Sequence, residues 1–363
     1  MAPIEIEVVS PSALTAEDLA SWRRLQAASP DHRSPFLSPD WICAVARLHG
    51  PDRQGARIAV LRRNGEAVGF LPVRVGRGRA IPAGAPFCDY GGPVAGPDVE
   101  IPTERLLKAL KVGRYDLQNA SGCEAFTGPH ARARSVSWIV DLSDGYAAYA
   151  TARRRAGSDV LQDCAKKQRK LAREVGPTTF TGMSMSAGAF AQLFAWKRAQ
   201  LKATRQTDLF ATPWTMQLME AMFHAREPGF GGALFTLHVG ERLAAAHFAL
   251  RGDRVLHAWM IAHDPELGRY SPGVILIREA LEWAAGQGYA EFDLGPGDYR
   301  FKTSLASRTR SLSHGFVGRP SASSLLRSAQ YALRDAAEAL PLGSLSELPA
   351  KAMRRMDLVS ALR

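Results

Sequence analysis

The order of strands, turns and one helix between residues 232 and 302 constrains the fold more than any other feature of the chain. Three apolar runs follow one another there, at 233–238, 243–250 and 255–261. The links between them contain Gly240-Glu241 and Gly252-Asp253. Glycine in a short link between apolar runs is typical of a β-hairpin. The sequence therefore predicts three antiparallel strands joined by two tight turns.

A long helix is predicted from Pro272 to about residue 287, and its start has the features of an anion site. Ser271 suits the N-cap, and Pro272 suits the first helical position because its missing N–H would be unpaired anyway. The sequence predicts three free backbone donors there, the N–H groups of Gly273, Val274 and Ile275. These donors and the helix dipole favour a pyrophosphate, to which Arg269 adds a charge. An ordinary capped helix with a solvated arginine is the alternative.

The predicted order is the three strands, the Arg269-x-Ser-Pro-Gly273 start, the helix and then the run Phe292-Asp-Leu-Gly-Pro-Gly-Asp-Tyr-Arg-Phe-Lys302. This order resembles the GNAT superfamily of acetyltransferases. The most similar branch acts in cellulose and exopolysaccharide biosynthesis (CelD/BcsL-like, including holdfast-synthesis acetyltransferases). It is related to the FemAB peptidyltransferases that build peptidoglycan cross-bridges. The resemblance implies that acyl-CoA binds along the third strand and the helix start, at Trp259, Ile261, Arg269, Tyr270, Ser271, Pro272, Gly273 and Val274.

Two stretches of the chain share the same order of predicted elements. The hairpin at 58–75 can be laid over that at 234–250, and each is followed by a helix and a short strand containing Asp-Leu. Hairpins also resemble one another by chance, which is the alternative explanation. The predicted fold class is α/β, with tandem GNAT-like domains of mixed, largely antiparallel sheets and a helical C-terminal tail. A chain of 363 residues is long enough for two cores.

The predicted domain ranges follow from these elements. They are an N-terminal GNAT-like domain at 1–145, a basic helical connector at 146–185, a C-terminal GNAT acyltransferase domain at 186–318 and a basic helical tail at 319–363.

Acyl transfer requires a base for the nucleophile and a stabiliser for the tetrahedral oxyanion. Lys302 is the predicted stabiliser, and the pair Phe301-Lys302 resembles a pair that the cross-bridge enzymes use at the reacting carbonyl. Asp298 is a candidate base or a clamp on Lys302, with Asp293 as a weaker candidate. The central histidines His247 and His257 are further candidate bases. Two histidines without a cluster of cysteines or carboxylates do not indicate zinc, and no metal is expected.

The formal net charge of +11 is partly concentrated in one predicted helix, where Lys166, Arg169, Lys170 and Arg173 share a face. Solvation alone explains many such faces, and the chain has no DNA-binding motif. The resemblance places this helix at the acceptor cleft, which indicates a phosphorylated or lipid-linked amino-sugar acceptor. The predicted acceptor contacts are Asp89, Tyr90, Lys166, Arg169, Arg173, Trp196, Lys197, Tyr299 and Phe301. A Gly/Pro turn at 86–93 and a core position for Trp196 are the alternatives.

The tail has an apolar face on its first helix, formed by Leu325, Leu326, Ala329, Leu333 and Ala336. Packing on the body is the first expectation for this tail, and docking on an anionic membrane or binding a cyclic dinucleotide are the others. The N-terminus has no signal-peptide pattern, and the four cysteines are widely spaced. A cytoplasmic protein is expected, with a peripheral position at the inner membrane as a variant.

Three functions from different classes fit the sequence. The first is an acyl-CoA-dependent N-acyltransferase, of acetyl groups above all, that modifies an amino sugar of an exopolysaccharide or cell-surface glycan precursor. The second is an aminoacyl-tRNA-dependent, FemAB-like peptidyltransferase. The third is a binding module regulated by a nucleotide, against which the Ser-Pro-Gly start and Lys302 argue.

Overall fold

The computed structural model describes residues 2–49, 55–76, 78–225, 227–340 and 343–362. It divides into two compact units, the first formed by 1–135 with 311–363 and the second by 136–310. The residues predicted as a connector, 146–185, lie inside the second unit, and the tail belongs to the first.

The first unit is an α/β unit around one mixed sheet. Its elements are β1 (Glu5–Val9), α1 (Ala16–Ala28), α2 (Pro39–His49), β2 (Ala56–Arg63), β3 (Glu66–Gly76), β4 (Arg79–Pro82), β5 (Val94–Ala95), α3 (Thr103–Ala109), β6 (Arg114–Ala120), α4 (Glu124–Thr127) and the start of β7 (Ala131–Asp141). Strands β1 to β4 pair antiparallel in sequence order, and β4 then pairs parallel with β6. The β2–β3 turn uses Asn64 and Gly65, both at positive φ, as a tight hairpin requires.

The second unit repeats this plan. Its elements are the end of β7, α5 (Gly145–Arg155), α6 (Val160–Glu174), β8 (Thr178–Thr181), α7 (Ala187–Ala203), α8 (Pro213–His224), β9 (Gly231–Val239), β10 (Arg242–Arg251), β11 (Val255–His263), α9 (Pro272–Gly286), β12 (Glu291–Pro296), α10 (Arg300–Leu305) and the start of β13 (Arg308–Gly318). Strands β8 to β11 pair antiparallel in sequence order, β11 pairs parallel with β12, and β12 pairs antiparallel with β7.

Each unit has its own apolar core. In the second unit, α9 packs on one face of the sheet, where its Trp283 ring lies 5.1 Å from the Phe235 ring of β9. On the other face, Phe190 of α7 contacts Phe248 of β10, at 5.3 Å between ring centroids. Because successive side chains of a strand point to opposite faces, β10 contributes side chains to the apolar layers on both faces of the sheet.

The fold class predicted from the sequence is confirmed. The three strands between 232 and 263, the long helix after Pro272 and the hairpin of the first unit are all present. Within the described part of the chain, no helix is both long and apolar enough to cross a bilayer.

The tail forms α11 (Ala322–Glu338) and α12 (Leu348–Leu362), and α11 packs on the first unit through its polar side. The apolar face of α11 does not provide this packing, since Leu325, Leu326 and Leu333 are 62–70% exposed. The physical reason is Asp116 of β6, a fully buried carboxylate that needs cations around it. Arg327 of α11 provides one of them, with its Nε 3.8 Å from Asp116 Oδ1.

Candidate active site

The parallel ladder between β11 and β12 is short, and an opening follows it. Pairing joins Val255–His257 to Glu291–Asp293 and ends there. The three paired residues of β11 are buried, whereas the next four, Ala258 to Ile261, are all half-buried. Four consecutive half-buried residues expose both faces of the strand. The end of β11 therefore borders a cleft in the second unit.

Strand β12 turns away from β11 because of a local bend. Asp293 Oδ1 accepts a hydrogen bond from the Gly295 N–H at 2.8 Å, and Gly295 has a φ of +77°, a conformation that favours glycine. Trp138 of β7 donates its indole N–H to the Gly297 carbonyl at 3.1 Å. These bonds fix the bend next to the cleft.

The start of α9 lies at the same end of β11. A Cβ atom on Gly273 would be 3.6 Å from Ile261 Cδ1 and 3.8 Å from His263 Nδ1. The strand and the helix start that the sequence assigns to the acyl donor are therefore neighbours in space, as the resemblance implies.

The predicted N-cap is wrong in its detail. Ser271 has φ 54° and ψ 51°, and its hydroxyl makes no capping bond. An N-cap residue normally has extended backbone, and so does a residue before proline, so neither preference accounts for the left-handed conformation of Ser271. The N–H groups of Val274 and Ile275 both donate to the Ser271 carbonyl, at 3.0 and 3.2 Å. Two of the three predicted anion donors are thus already occupied.

Cationic side chains of α6 surround this helix start. Lys167 Nζ donates to the Ser271 hydroxyl at 3.0 Å, and Lys170 Nζ lies 6.0 Å from the centre of the Tyr270 ring. The Arg269 guanidinium stacks on the same ring at 4.7 Å. Tyr270 itself is buried and donates its hydroxyl to Glu174 at 2.9 Å. Lys167 and Lys170 therefore lie beside the helix start that the sequence assigns to the acyl donor.

The helical period accounts for part of this placement once the packed face of α6 is known. Helix α6 packs inward through Cys164 and Leu171, Lys167 lies three positions after Cys164 and flanks the packed face, and Lys170 follows Lys167 by three positions. Lys166, Arg169 and Arg173 lie on the opposite, solvent-exposed side. Their role toward an acceptor stays a prediction.

Lys302 lies on α10 and is anchored at the bend of β12. Its ammonium donates to the Pro296 carbonyl at 2.7 Å and to the Gly295 carbonyl at 3.3 Å, and lies 5.4 Å from the Tyr299 ring. These carbonyls provide the clamp that the sequence assigned to Asp298, whose side chain is exposed. Phe301 packs partly on the core of the unit, and Tyr299 is 62% exposed.

A buried cluster of polar side chains around Asp293 supports the same bend of β12. Asp293 and His257 have no exposed side-chain surface, and Asp293 Oδ2 lies 3.5 Å from His257 Nδ1 and 3.6 Å from Arg310 Nη1. Ser137 donates to Asp293 Oδ1 at 2.5 Å. Burial acts to raise the pKa of Asp293, but the neighbouring His257, Arg310 and Ser137 outweigh it and hold this pKa well below its usual range.

His257 and His247 are poorly placed to act as bases. His257 is fully buried, so its ring does not reach the cleft in this structure. His247 lies between the Phe235 and Phe292 rings, with 1% exposure. Burial lowers the pKa of His247 to about 3, and the charges of His257 and Lys197 act in the same direction. The ring of His247 is therefore neutral near pH 7.

The remaining predicted residues lie in three places. Trp259 of β11 and Trp196 of α7 are half-buried, and α7 packs on β11. Burial lowers the pKa of Lys197, which is also half-buried on α7. Asp89 and Tyr90 belong to the first unit, and Tyr90 is only 1% exposed. The Tyr90 ring is therefore part of that unit's interior rather than its surface.

Comparison with known proteins agrees with this geometry. Residues 158–303 match the family model described as an acetyltransferase (GNAT) domain. A search of curated proteins found no significant match.

Three solved structures have a similar fold. One is the C-terminal domain (DUF2156) of a protein named as a lysylphosphatidylglycerol synthetase from Agrobacterium fabrum, with 11% identity, a TM-score of 0.51 and coverage of 86% of this chain and 96% of that one. The second is a tandem GNAT protein from the clavulanic acid biosynthesis pathway, with 12% identity, a TM-score of 0.50 and coverage of 88% and 100%. The third is FemX, with 11% identity, a TM-score of 0.50 and coverage of 85% and 96%.

Residues 158–303 therefore carry a GNAT-type acyltransferase domain. The fold of the chain is similar to that of a tandem GNAT protein. GNAT domains use acyl-CoA, and the cleft beside β11 and α9 lies in the matched segment.

Proposed function

We propose that this acyltransferase moves an acyl group, an acetyl group above all, from acyl-CoA to the amino group of an amino sugar in an exopolysaccharide or cell-surface glycan precursor. The observation that carries the donor half of this proposal is the opening between β11 and β12 next to the start of α9. A thioester arm laid along Trp259 and Ile261 would extend from the pyrophosphate site to Lys302.

The charges at the cleft fit the donor. Coenzyme A carries a pyrophosphate and a further phosphate, and Lys167, Lys170 and Arg269 are cations at the start of α9. The Gly273 N–H and the helix dipole would add to their attraction.

The proposed reaction is a direct transfer. The acceptor amine attacks the thioester carbonyl, the C–N bond forms and the C–S bond then breaks. The Lys302 ammonium, positioned by the Gly295 and Pro296 carbonyls, would stabilise the oxyanion of the tetrahedral intermediate. The amine proton leaves to a base, for which exposed Asp298 is the candidate. Coenzyme A departs as the thiolate and takes up a proton from solvent.

The acceptor part of the proposal rests on charge and on the resemblance to polysaccharide-modifying acetyltransferases. Lys166, Arg169 and Arg173 form an exposed basic side of α6, separate from the two lysines at the donor site. A phosphorylated or lipid-linked amino sugar would match this basic side.

A second candidate is an aminoacyl-tRNA-dependent peptidyltransferase. FemX is among the structures with a similar fold, and the basic side of α6 would also suit a nucleic acid. Turnover with acetyl-CoA and a UDP-linked amino sugar, compared with turnover with aminoacyl-tRNA, separates the two.

Replacement of Gly273 by Val tests the donor site. The added Cβ has ordinary contact distances to Ile261, so the protein should fold, but the side chain covers the backbone donor. We expect acetyl-CoA affinity, measured by calorimetry, to fall on the order of tenfold, which corresponds to one charge-assisted hydrogen bond. Gly286→Val, at the open far end of α9, is the control and should bind normally. Equal affinity in both variants, or no binding by the folded wild type, would reject the site.

Two charge reversals of equal size separate donor from acceptor. We expect Lys167→Glu with Lys170→Glu to raise the dissociation constant of acetyl-CoA roughly tenfold or more at low salt, because two cations beside the phosphates become anions. Arg169→Glu with Arg173→Glu should leave acetyl-CoA affinity nearly unchanged and raise the KM of a phosphorylated acceptor. The reverse pattern would show that the two sides of α6 have been assigned the wrong way round.

A further inference from the structure

The C-terminal tail is an amphipathic structure mounted with its apolar side outward. Among the described residues, ten large hydrophobic side chains are notably exposed, and seven of them lie in the tail. They are Leu325, Leu326, Leu333, Leu340, Leu345, Leu348 and Met356, each at least 51% exposed. An exposed apolar group of this density is uncommon on a protein surface and marks an interaction site.

Specific polar contacts hold α11 in this orientation. Ser324 donates to the Gly113 carbonyl at 3.2 Å, and Arg334 donates to the Arg132 carbonyl at 2.8 Å. Between them, Arg327 approaches buried Asp116, and Tyr331 stacks on Phe316 with 5.9 Å between ring centroids. The helix is therefore fixed with its leucines facing solvent.

The exposed cations of the two helices lie on α12, and the leucine side of α11 carries no charge. On α12, Lys351, Arg354 and Arg355 are exposed beside Leu348 and Met356. The acid of that helix, Asp357, is turned inward, where it accepts from Arg327 at 2.7 Å. On α11, Asp335 and Glu338 fall on the half of the helix away from the leucines, by the helical period.

We propose that the tail docks the enzyme on an anionic lipid bilayer. Exposed leucines near Arg354 and Arg355 match an interface where acyl chains lie below phosphate headgroups. Among the described residues of the tail, the one exposed acid beside them, Glu347, is paired with Lys351 at 2.8 Å. Polar bonds on the opposite side of α11 leave the leucines available for insertion without loss of contact to the first unit. The inference is independent of the acyl acceptor, although docking would bring the enzyme to lipid-linked substrates.

Sedimentation of the full-length protein with vesicles tests this proposal. We expect binding to vesicles of phosphatidylcholine with phosphatidylglycerol, weaker binding to phosphatidylcholine alone and a decrease with salt. The triple variant Leu325→Gln, Leu326→Gln, Leu333→Gln should reduce partitioning more than roughly tenfold, because three apolar side chains no longer enter the bilayer. Acetyl-CoA affinity measures whether the variant remains folded.

A matched pair of charge variants completes the test. Arg354→Glu with Arg355→Glu should reduce binding to the anionic vesicles, whereas Arg154→Glu with Arg155→Glu, an equal change on exposed residues of α5, should have little effect. Absence of wild-type binding to anionic vesicles would overturn the proposal, as would equal binding by the leucine variant. If ultracentrifugation shows a dimer that the leucine variant loses, without vesicle binding, the surface joins two copies instead.

Discussion

Replacement of Lys302 by Met is expected to reduce kcat on the order of a hundredfold or more, with a smaller change in the KM of acyl-CoA. The physical reason is that a charge positioned at the oxyanion stabilises the transition state more than the bound substrate. Steady-state kinetics with acetyl-CoA and an amino-sugar acceptor provide the measurement.

Lys302 also joins α10 to the bend of β12, so loss of structure must be separated from loss of charge. Thermal unfolding of the variant tests this, since a small decrease in Tm with a large decrease in kcat supports the catalytic role. Arg300→Met, which removes a neighbouring exposed cation on the same helix, should keep nearly full activity. Unchanged kcat in Lys302→Met would remove this residue from the mechanism.

Replacement of Asp293 by Asn is expected to lower the free energy of unfolding by about 3 kcal/mol or more at pH 7. The variant removes the buried negative charge that faces His257 and Arg310, and Arg310 keeps only Glu291, at 2.8 Å; breaking a buried ion pair by removing one partner costs this much. Urea unfolding measures the change. Asp253→Asn, in the exposed β10–β11 turn, is the control and should change stability little.

The same variant has a predicted effect on the pH dependence of stability. The pKa of Asp293 is lower in the folded state, so its contribution is present above the unfolded pKa of about 4 and is lost as pH falls below that value. Wild-type stability should therefore decrease below about pH 4, and the Asn variant should show a smaller decrease from its lower starting value. Parallel pH profiles for the two proteins would mean that folding does not lower the pKa of Asp293.

The elements near the donor cleft could be predicted because their signals are local. The links at Gly240 and Gly252 mark two hairpins, and the Ser271-Pro272-Gly273 run marks the start of α9. The same run places Ser271 correctly before the first helical turn but does not indicate that its hydroxyl makes no capping bond. In the structure Ser271 is left-handed, a conformation that neither its N-cap preference nor the following proline favours.

The parts that could not be predicted depend on partners far away in the sequence. Nothing near Lys167 indicates that its ammonium would reach Ser271, because that contact requires α6 to pack on α9. The orientation of α11 likewise depends on Asp116, a buried acid in a strand of the first unit. An apolar stripe predicts which side of a helix is hydrophobic but not whether that side is covered.

The path of the chain also determines which fragment would contain this acyltransferase domain with all of its internal contacts. Strand β7 enters the second unit at residue 136, and β13 leaves it at 310. The segment that matches the GNAT family model, 158–303, contains neither strand. A fragment with those bounds would lose Ser137, which donates to Asp293, and Arg310, which pairs with Glu291 at 2.8 Å. A fragment that keeps these contacts must therefore begin within β7 and end within β13, rather than at the ends of the segment that matches the family model.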